Sequence, residues 1–205
     1  MYNPSAEFKM HIQILLEALT KSDKIEEITI KKGEKYPIAD RVFCIQQGIF
    51  SIYMNREDRL LSYAEGPTIF GLAYLYTPTI DHYMKANQIS TILTLPTEEA
   101  HHIIKSENLY ESFICVQSHN VALIFEMYER TITSSNYAFI RALLIDLDQS
   151  SDAVKESITV ASYIIKRSGL SRSYVMLVLS ELRKGSYIHM ENGKLTGITS
   201  LPERF

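Results

Sequence analysis

The reading of the 205-residue chain is decided by Ile158-Thr159-Val160-Ala161-Ser162-Tyr163-Ile164-Ile165-Lys166-Arg167-Ser168-Gly169-Leu170-Ser171-Arg172-Ser173-Tyr174. Thr159 stands where a helix N-cap belongs, Val160 and Ile164 share a face, and Gly169 supplies the left-handed residue that stops a helix. Ala161 is small where a second helix must cross closely. Ser171 is placed to cap that second helix, whose inward residues are Val175, Val178 or Leu179, and Leu182, and whose outward face begins Arg172-Ser173-Tyr174. Two helices joined by a short Gly-containing turn make a helix-turn-helix. Tyr187–Met190 and Leu195–Ile198 follow as short strands around Asn192-Gly193, a pair suited to the type I′ turn of a hairpin. The segment therefore reads as a winged helix.

A winged helix has a specific use for these residues. Arg172 at the start of the second helix can donate two hydrogen bonds to guanine in the major groove, and the Ser171 and Ser173 hydroxyls can bond phosphate or base. Tyr174 is placed to touch sugar or a thymine methyl, and the site is expected to depend partly on DNA shape. Lys166 and Arg167 at the turn and Lys194 on the wing are expected to hold phosphates. The other reading remains open: some winged helices only contact proteins, and these charges would then be solvated. The charge balance is compatible with double-stranded DNA. Residues 151–205 carry eight Lys/Arg against five Asp/Glu, while residues 1–150 carry 13 against 19. Only the tail gains from neutralising phosphates and releasing their counterions.

Upstream, Asp148–Asp152 reads as a polar loop and Tyr137–Leu147 as an amphipathic helix, separated by Ser134-Ser135-Asn136 from a long segment, Leu109 to about Ile132, without Pro or Gly. Along that segment Tyr110, Phe113, Gln117, Asn120 or Val121, Ile124, Met127 or Tyr128, and Thr131 recur three or four apart. The stripe is either packed on its own chain or the seam of a homodimer, with Phe113, Gln117, Asn120, Ile124 and Tyr128 as the seam residues. Pro96-Thr97-Glu98-Glu99 opens a shorter helix to about Lys105. From Ile25 to about Leu95 the pattern is short apolar runs broken by turn residues: Ile28–Ile30, Val42–Gln46, Ile49–Met54, Leu60–Tyr63, Ile69–Leu72 and Gln88–Leu95. Such spacing indicates a β-sandwich or barrel. Phe8–Leu19 precedes it as a helix. The expected organisation is α+β: a sensor domain over 1–108, a dimerisation helix over 109–134, and a winged helix-turn-helix over 135–205.

This order resembles the Crp/Fnr superfamily of bacterial transcription regulators over nearly the full length. Ile69-Phe70-Gly71-Leu72-Ala73 stands where that family has its phosphate loop, and Gly169-Leu170-Ser171-Arg172 resembles its helix-turn-helix signature. The run Leu182-Arg183-Lys184-Gly185-Ser186-Tyr187-Ile188-His189-Met190, with Gly193-Lys194-Leu195 and Leu201-Pro202-Glu203, is more closely similar to the IprA (YaiV) group of enterobacteria, regulators associated with the response to hydrogen peroxide. The resemblance implies a cyclic-nucleotide-binding-like β-roll. It also marks a departure, because the cyclic-nucleotide binders place a Glu after the loop Gly and an Arg-Ser about ten residues on. This chain has Leu72, then Ile80-Asp81-His82-Tyr83. An acid such as Asp81 repels phosphate, and no cation offsets its desolvation. Gly71, Leu72, Asp81 and His82 thus mark a degenerate pocket; no cAMP and no other cofactor is expected, and a small-molecule effector is undefined. The second helix departs too, with Ser173, Met176 and Leu177 where charged residues are common in the family, so fewer charged base contacts remain.

Several classes are excluded at this level. No window holds the roughly 18 to 20 apolar residues of a bilayer crossing, and Glu7, Lys9 and His11 interrupt any signal peptide, so a cytoplasmic protein that does not engage a membrane is expected. Cys44 and Cys115 have no CxxC partners, which argues against a zinc finger or a Cys-held iron–sulfur cluster. Both lie in apolar runs and are expected to be buried thiols, with a pairing across two chains left open if Cys115 faces the seam. His82 and His119 are weak haem ligands, each being alone. No Ser/His/Asp set, paired-carboxylate site or Gly-rich nucleotide loop marks an enzyme. The residues therefore point to a DNA-binding regulator. Two rivals remain: a regulator answering to a small molecule in the β-roll, and a protein adaptor whose winged helix leaves DNA alone.

Overall fold

In a computed structural model of the chain, Ser5 caps α1 (Ala6–Leu19) by accepting a hydrogen bond from the Phe8 amide at 3.1 Å. The structure describes residues 5–55, 57–75, 81–132 and 135–203. They form two compact units, which divide between Leu123 and Ile124 within a long helix. No described helix is long and apolar enough to cross a membrane.

The first unit is a β-roll of two four-stranded antiparallel sheets. One has the order β1 (Glu26–Ile30), β8 (Ser90–Pro96), β3 (Arg41–Ile45), β6 (Thr68–Phe70). The other has the order β2 (Lys35–Ile38), β7 (His82–Ala86), β4 (Ile49–Met54), β5 (Arg59–Glu65). Successive residues of β3 point to opposite faces, and both faces are covered. Val42 and Cys44 join a cluster with Leu15, Leu19 and Ile104 of the helices α1 and α2 (Thr97–Ser106) and with Val116. Phe43 and Ile45 join Ile38, Phe50, Ile52, Met84 and Ile92 between the two sheets. Double burial is why Val42–Ile45 is a continuous apolar run rather than an alternating one.

Strands β2 and β7 escape the sequence reading because their outer faces are tyrosine and lysine. Tyr53 and Tyr83 stack with ring centroids 5.1 Å apart and planes 3° from parallel. Lys35 lies 4.5 Å above the Tyr83 ring and Lys85 4.7 Å above that of Tyr53. Lysine stems and stacked rings cover a sheet face as well as aliphatic side chains do while keeping the ammonium groups wet, so no hydrophobic alternation is required.

α3 (Tyr110–Thr131) follows α2. The second unit then runs α4 (Asn136–Asp148), α5 (Asp152–Ser157), α6 (Val160–Ser168), α7 (Arg172–Lys184) and the hairpin β9 (Ile188–Glu191), β10 (Lys194–Ile198). Helix α5 is absent from the sequence-based expectation; it buries one apolar residue, Val154, in six, too short a stretch for a period to show. Ile140, Leu144, Leu147, Val160, Ile164, Val175, Val178, Leu182 and Leu195 are buried in this unit. The C-terminal tail is tied back where the Tyr137 hydroxyl donates to the Pro202 carbonyl at 2.7 Å.

Candidate nucleic-acid interface

Each end of the two-helix corner is set by a local hydrogen bond. The Thr159 hydroxyl oxygen accepts from the Ser162 amide at 3.3 Å and starts α6. Gly169, at φ 70° and ψ 8°, closes α6 in the left-handed region and donates its N–H to Ile165 O at 2.9 Å. Ser171 then caps α7 by accepting from the Tyr174 amide at 3.3 Å, and the helical ladder begins with the Val175 amide donating to Ser171 O at 3.1 Å. The amides of Arg172 and Ser173 are therefore those the ladder leaves over, at the positive end of the helix dipole.

Around that end the side chains divide sharply. Val175, Val178, Leu179 and Leu182 are buried, whereas Arg172 and Ser173 are exposed and Tyr174 is half-buried. Ser171 is exposed, but its hydroxyl oxygen is engaged as the cap, with the Ser173 hydroxyl 3.4 Å away. Its first role is thus to fix the direction of α7. Met176 and Leu177 stand on the outward face one turn after Arg172 and Ser173 respectively, 46% and 55% exposed.

The wing is pinned rather than free. Asn192 (φ 49°) and Gly193 (φ 78°) both adopt the left-handed region that a type I′ turn demands. The Gly193 carbonyl accepts from the Val160 amide at 2.9 Å, so the hairpin tip covers the start of α6, and a Cβ on Gly193 would press on Thr159 Cγ2 at 3.3 Å. Lys194, half-buried, follows immediately. Lys166 is half-buried at the end of α6.

Arg167 departs from expectation. Its side chain is 12% exposed, and its guanidinium lies 3.4 Å from Asp146 of α4 and donates to the Tyr163 hydroxyl at 3.1 Å. That hydroxyl in turn donates to Asp146. The guanidinium also lies over the Tyr163 ring, 5.3 Å from its centroid. Arg167 is a strut that locks α6 onto α4, not a phosphate contact. The sequence reading does not single out Asp146 or Tyr163, although Tyr163 and Arg167 are four apart on one helix, the spacing at which side chains meet.

The residues assigned to a degenerate pocket do not come together. Gly71, at φ +97°, backs onto β3 so closely that a Cβ would lie 2.4 Å from Arg41 O. Leu72 is 2% exposed and belongs to the helix-side cluster with Ile12 and Leu16; it begins a 3-10 turn, Leu72–Leu75, rather than ending a strand. Asp81 is exposed and accepts two hydrogen bonds from the Asn55 side chain, at 3.0 and 3.2 Å. Only His82 approaches the space between the sheets, where its Nδ1 lies 2.6 Å from the hydroxyl of Tyr74, which packs on the inter-sheet cluster. Burial pushes His82 toward its neutral form against the pull of Asp81. Burial also raises Tyr74 to about 12. Ile80, which precedes Asp81, lies outside the described residues. Among the described residues no group of three or more His, Cys, Asp or Glu could hold a metal ion.

The α3 stripe is also corrected. Phe113 packs against the helix-side cluster beside Val116, and Gln117 and Asn120 are half-buried with a mutual side-chain hydrogen bond of 3.3 Å. Ile124 and Tyr128 are exposed, as a seam requires. Among the described side chains, the large apolar residues that α3 leaves in water are Tyr110 at its start and Ile114, Val121, Ile124, Phe125 and Tyr128, with Ile132 just past its end. Taken with the exposed Ser118, the series 114, 118, 121, 125, 128, 132 alternates steps of four and three, the seam spacing of a coiled coil. The first half of α3 is apolar on two sides, so periodicity alone does not distinguish the side facing its own chain from the side left in water. Met127 and Thr131, also named in the stripe, have side chains outside the described set.

Cys44 is buried, and burial raises its thiol to about 12. Cys115 is only half-buried, contrary to expectation; partial burial, then Glu7 and Glu111, push its thiol up as well.

The two-helix corner falls within a known family, and the chain is similar to known proteins in sequence and in fold. Residues 136–203 match the family described as winged helix-turn-helix DNA binding. Two proteins named "Inhibitor of hydrogen peroxide resistance" are similar to this chain. That of Escherichia coli (strain K12) is 31% identical over 166 residues, 80% of this chain and 79% of its own. That of Salmonella typhimurium (strain LT2) is 30% identical over 164 residues, again 80% and 79%. Among solved structures, the fold is shared with the c-di-GMP responsive global regulator CLP of Xanthomonas campestris, at TM-score 0.70 and 13% identity over 95% of this chain and 100% of that one. It is shared too with a CRP/FNR-family transcriptional regulator from Thermus thermophilus, at TM-score 0.60 and 20% identity over 84% and 94%.

Proposed function

Because the chain belongs to the family of the inhibitor of hydrogen peroxide resistance proteins, we propose that it is a non-enzymatic transcription regulator of Crp/Fnr type that binds double-stranded DNA and bears on resistance to hydrogen peroxide. The carrying observation is the open start of α7, where Arg172 and Ser173 stand exposed on a helix fixed by the Ser171 cap, within the segment matched as DNA-binding. In this reading Arg172 reads a base, Lys194 and Lys166 hold phosphates, and α3 pairs two chains through Ile114, Val121, Phe125 and Tyr128. One winged helix covers too few base pairs for tight specific binding, and a symmetric pair reaches two half-sites about one helical turn apart.

No cyclic nucleotide takes part in this reading. Leu72 lies in the core, Asp81 is an acid engaged by Asn55, and burial pushes His82 toward its neutral form, so the three make a poor cradle for a phosphate. The test is a gel shift with genomic fragments at about 50 and 200 mM salt, beside sedimentation of the free protein. The expected result is a dimer whose DNA affinity falls by at least about tenfold between the two salts, since phosphate contacts release counterions. Salt-independent retention of fragments, or none, overturns the DNA assignment.

A further inference from the structure

The outward face of α7 carries more than one arginine. Its inward residues Val175, Val178, Leu179 and Leu182 already complete a buried stripe, yet Met176 and Leu177 put two large apolar side chains side by side into water, 46% and 55% exposed. Met176 lies four residues after Arg172 and Leu177 four after Ser173, each one turn further along the exposed face that this pair begins. From Arg172 to Ser180 the helix has no acid, and the first one, Glu181, is paired with Lys184 at 2.7 Å. An acid-free, partly apolar surface continuous with the base-reading end of the helix fits a DNA groove walled by phosphates.

Resting on the DNA-binding reading above, we propose that Met176 and Leu177 determine sequence specificity by packing on thymine methyl groups in the major groove. The chemistry leaves one candidate, because these side chains make no strong hydrogen bond to a phosphate or a base edge, and the C5-methyl of thymine is the apolar group that the major groove presents. Four to five residues along a helix rise about 6 to 7.5 Å, roughly two base-pair steps. Each half-site therefore places thymine about two base pairs from the guanine that Arg172 reads.

The test starts from a pool of random-core duplexes enriched by the full-length protein and sequenced. The enriched duplex is then resynthesised with deoxyuridine for thymidine, one position at a time, which deletes the methyl and keeps every hydrogen-bonding edge. Wild-type protein is expected to lose about fourfold in affinity at one or two positions near the guanine, equivalent to ~0.8 kcal/mol for a buried methyl. The variant carrying Met176→Ala and Leu177→Ala, whose thermal midpoint should match wild type because both residues are exposed, is expected to bind more weakly and to ignore the uracil. Deoxyuridine without effect at every position, or with equal effect in both proteins, overturns the inference and leaves DNA binding standing. So does a double variant with unchanged DNA affinity that has instead lost self-association or a protein partner. Failure to enrich any duplex overturns the DNA-binding reading itself, and this inference with it.

Discussion

Two glycine turns in this chain look alike locally and lead to opposite chemistry. Gly71 and Gly169 both sit at positive φ, +97° and +70°. After Gly71 the next side chain, Leu72, drops into the apolar cluster between sheet and helices, while Asp81 and His82 are engaged by Asn55 and Tyr74. After Gly169 the chain reaches Ser171, which spends its oxygen on a cap, and then Arg172 and Ser173, both left in water. A glycine reports a backbone requirement. Whether a site follows depends on which side of the backbone the next polar groups fall, and here one turn feeds a core and the other a surface.

The largest test of that contrast puts a carboxylate where the cyclic-nucleotide binders carry one. In Leu72→Glu the protein loses the burial of a leucine, ~1.5–3 kcal/mol, and gains an unpaired charge in an apolar cluster, which costs several more. The expected result is a loss of at least ~4 kcal/mol in chemical denaturation, or outright unfolding of the β-roll, with no change in melting on adding cAMP. A stable variant that melts higher in cAMP would show that position 72 still faces a ligand space and would break the comparison.

How much of this is legible in the sequence follows from how local each signal is. The winged helix reads almost whole because Thr159, Gly169, Ser171 and the Asn192-Gly193 pair act within a few residues of themselves, and the structure places each as a cap or turn. β2 and β7 are hidden because their outer faces are covered by partners distant in sequence, such as Lys35 over Tyr83. The fate of Arg167 is equally hidden. The pair Lys166-Arg167 reads as two surface cations, and only Asp146, on another helix, makes one of them a strut. On α3 the ambiguity lies in the sequence itself, since Phe113 and Ile114 are neighbours on the helix and only packing reveals which one is spare.

The two arginines sharpen the comparison at a smaller scale. Arg172→Ala removes an exposed side chain, so stability should stay within about 0.5 kcal/mol of wild type while affinity for an enriched duplex falls about 5- to 150-fold. Arg167→Ala should do the reverse. Breaking its contacts to Asp146 and Tyr163 is expected to cost ~2 kcal/mol in the unfolding of the second unit, with DNA affinity following only as far as the fold is lost. Equal losses of affinity in two fully folded variants would return Arg167 to the interface.

The smallest effect concerns the thiols and sets Cys44 against Cys115. A peroxide-sensing cysteine needs thiolate, yet burial raises Cys44 to about 12, and Cys115 is pushed up by partial burial and two acids. An acid with a raised folded pKa retains its proton in the native state after the unfolded chain has lost it, so stability falls as pH rises through the unfolded value. At that unfolded value the loss is RT ln 2, about 0.4 kcal/mol, relative to neutral pH. Denaturation at about pH 7 and pH 9, on either side of the ordinary thiol value, should show this decline in wild type and a reduced one in Cys44→Ala. A thiol reagent at neutral pH should label Cys115 slowly and Cys44 only on unfolding. Fast labelling of either thiol, or a peroxide phenotype lost when both are replaced by Ser, would make the first unit a redox sensor and move reactive chemistry back to the side of the molecule where Gly71 leads only into a core.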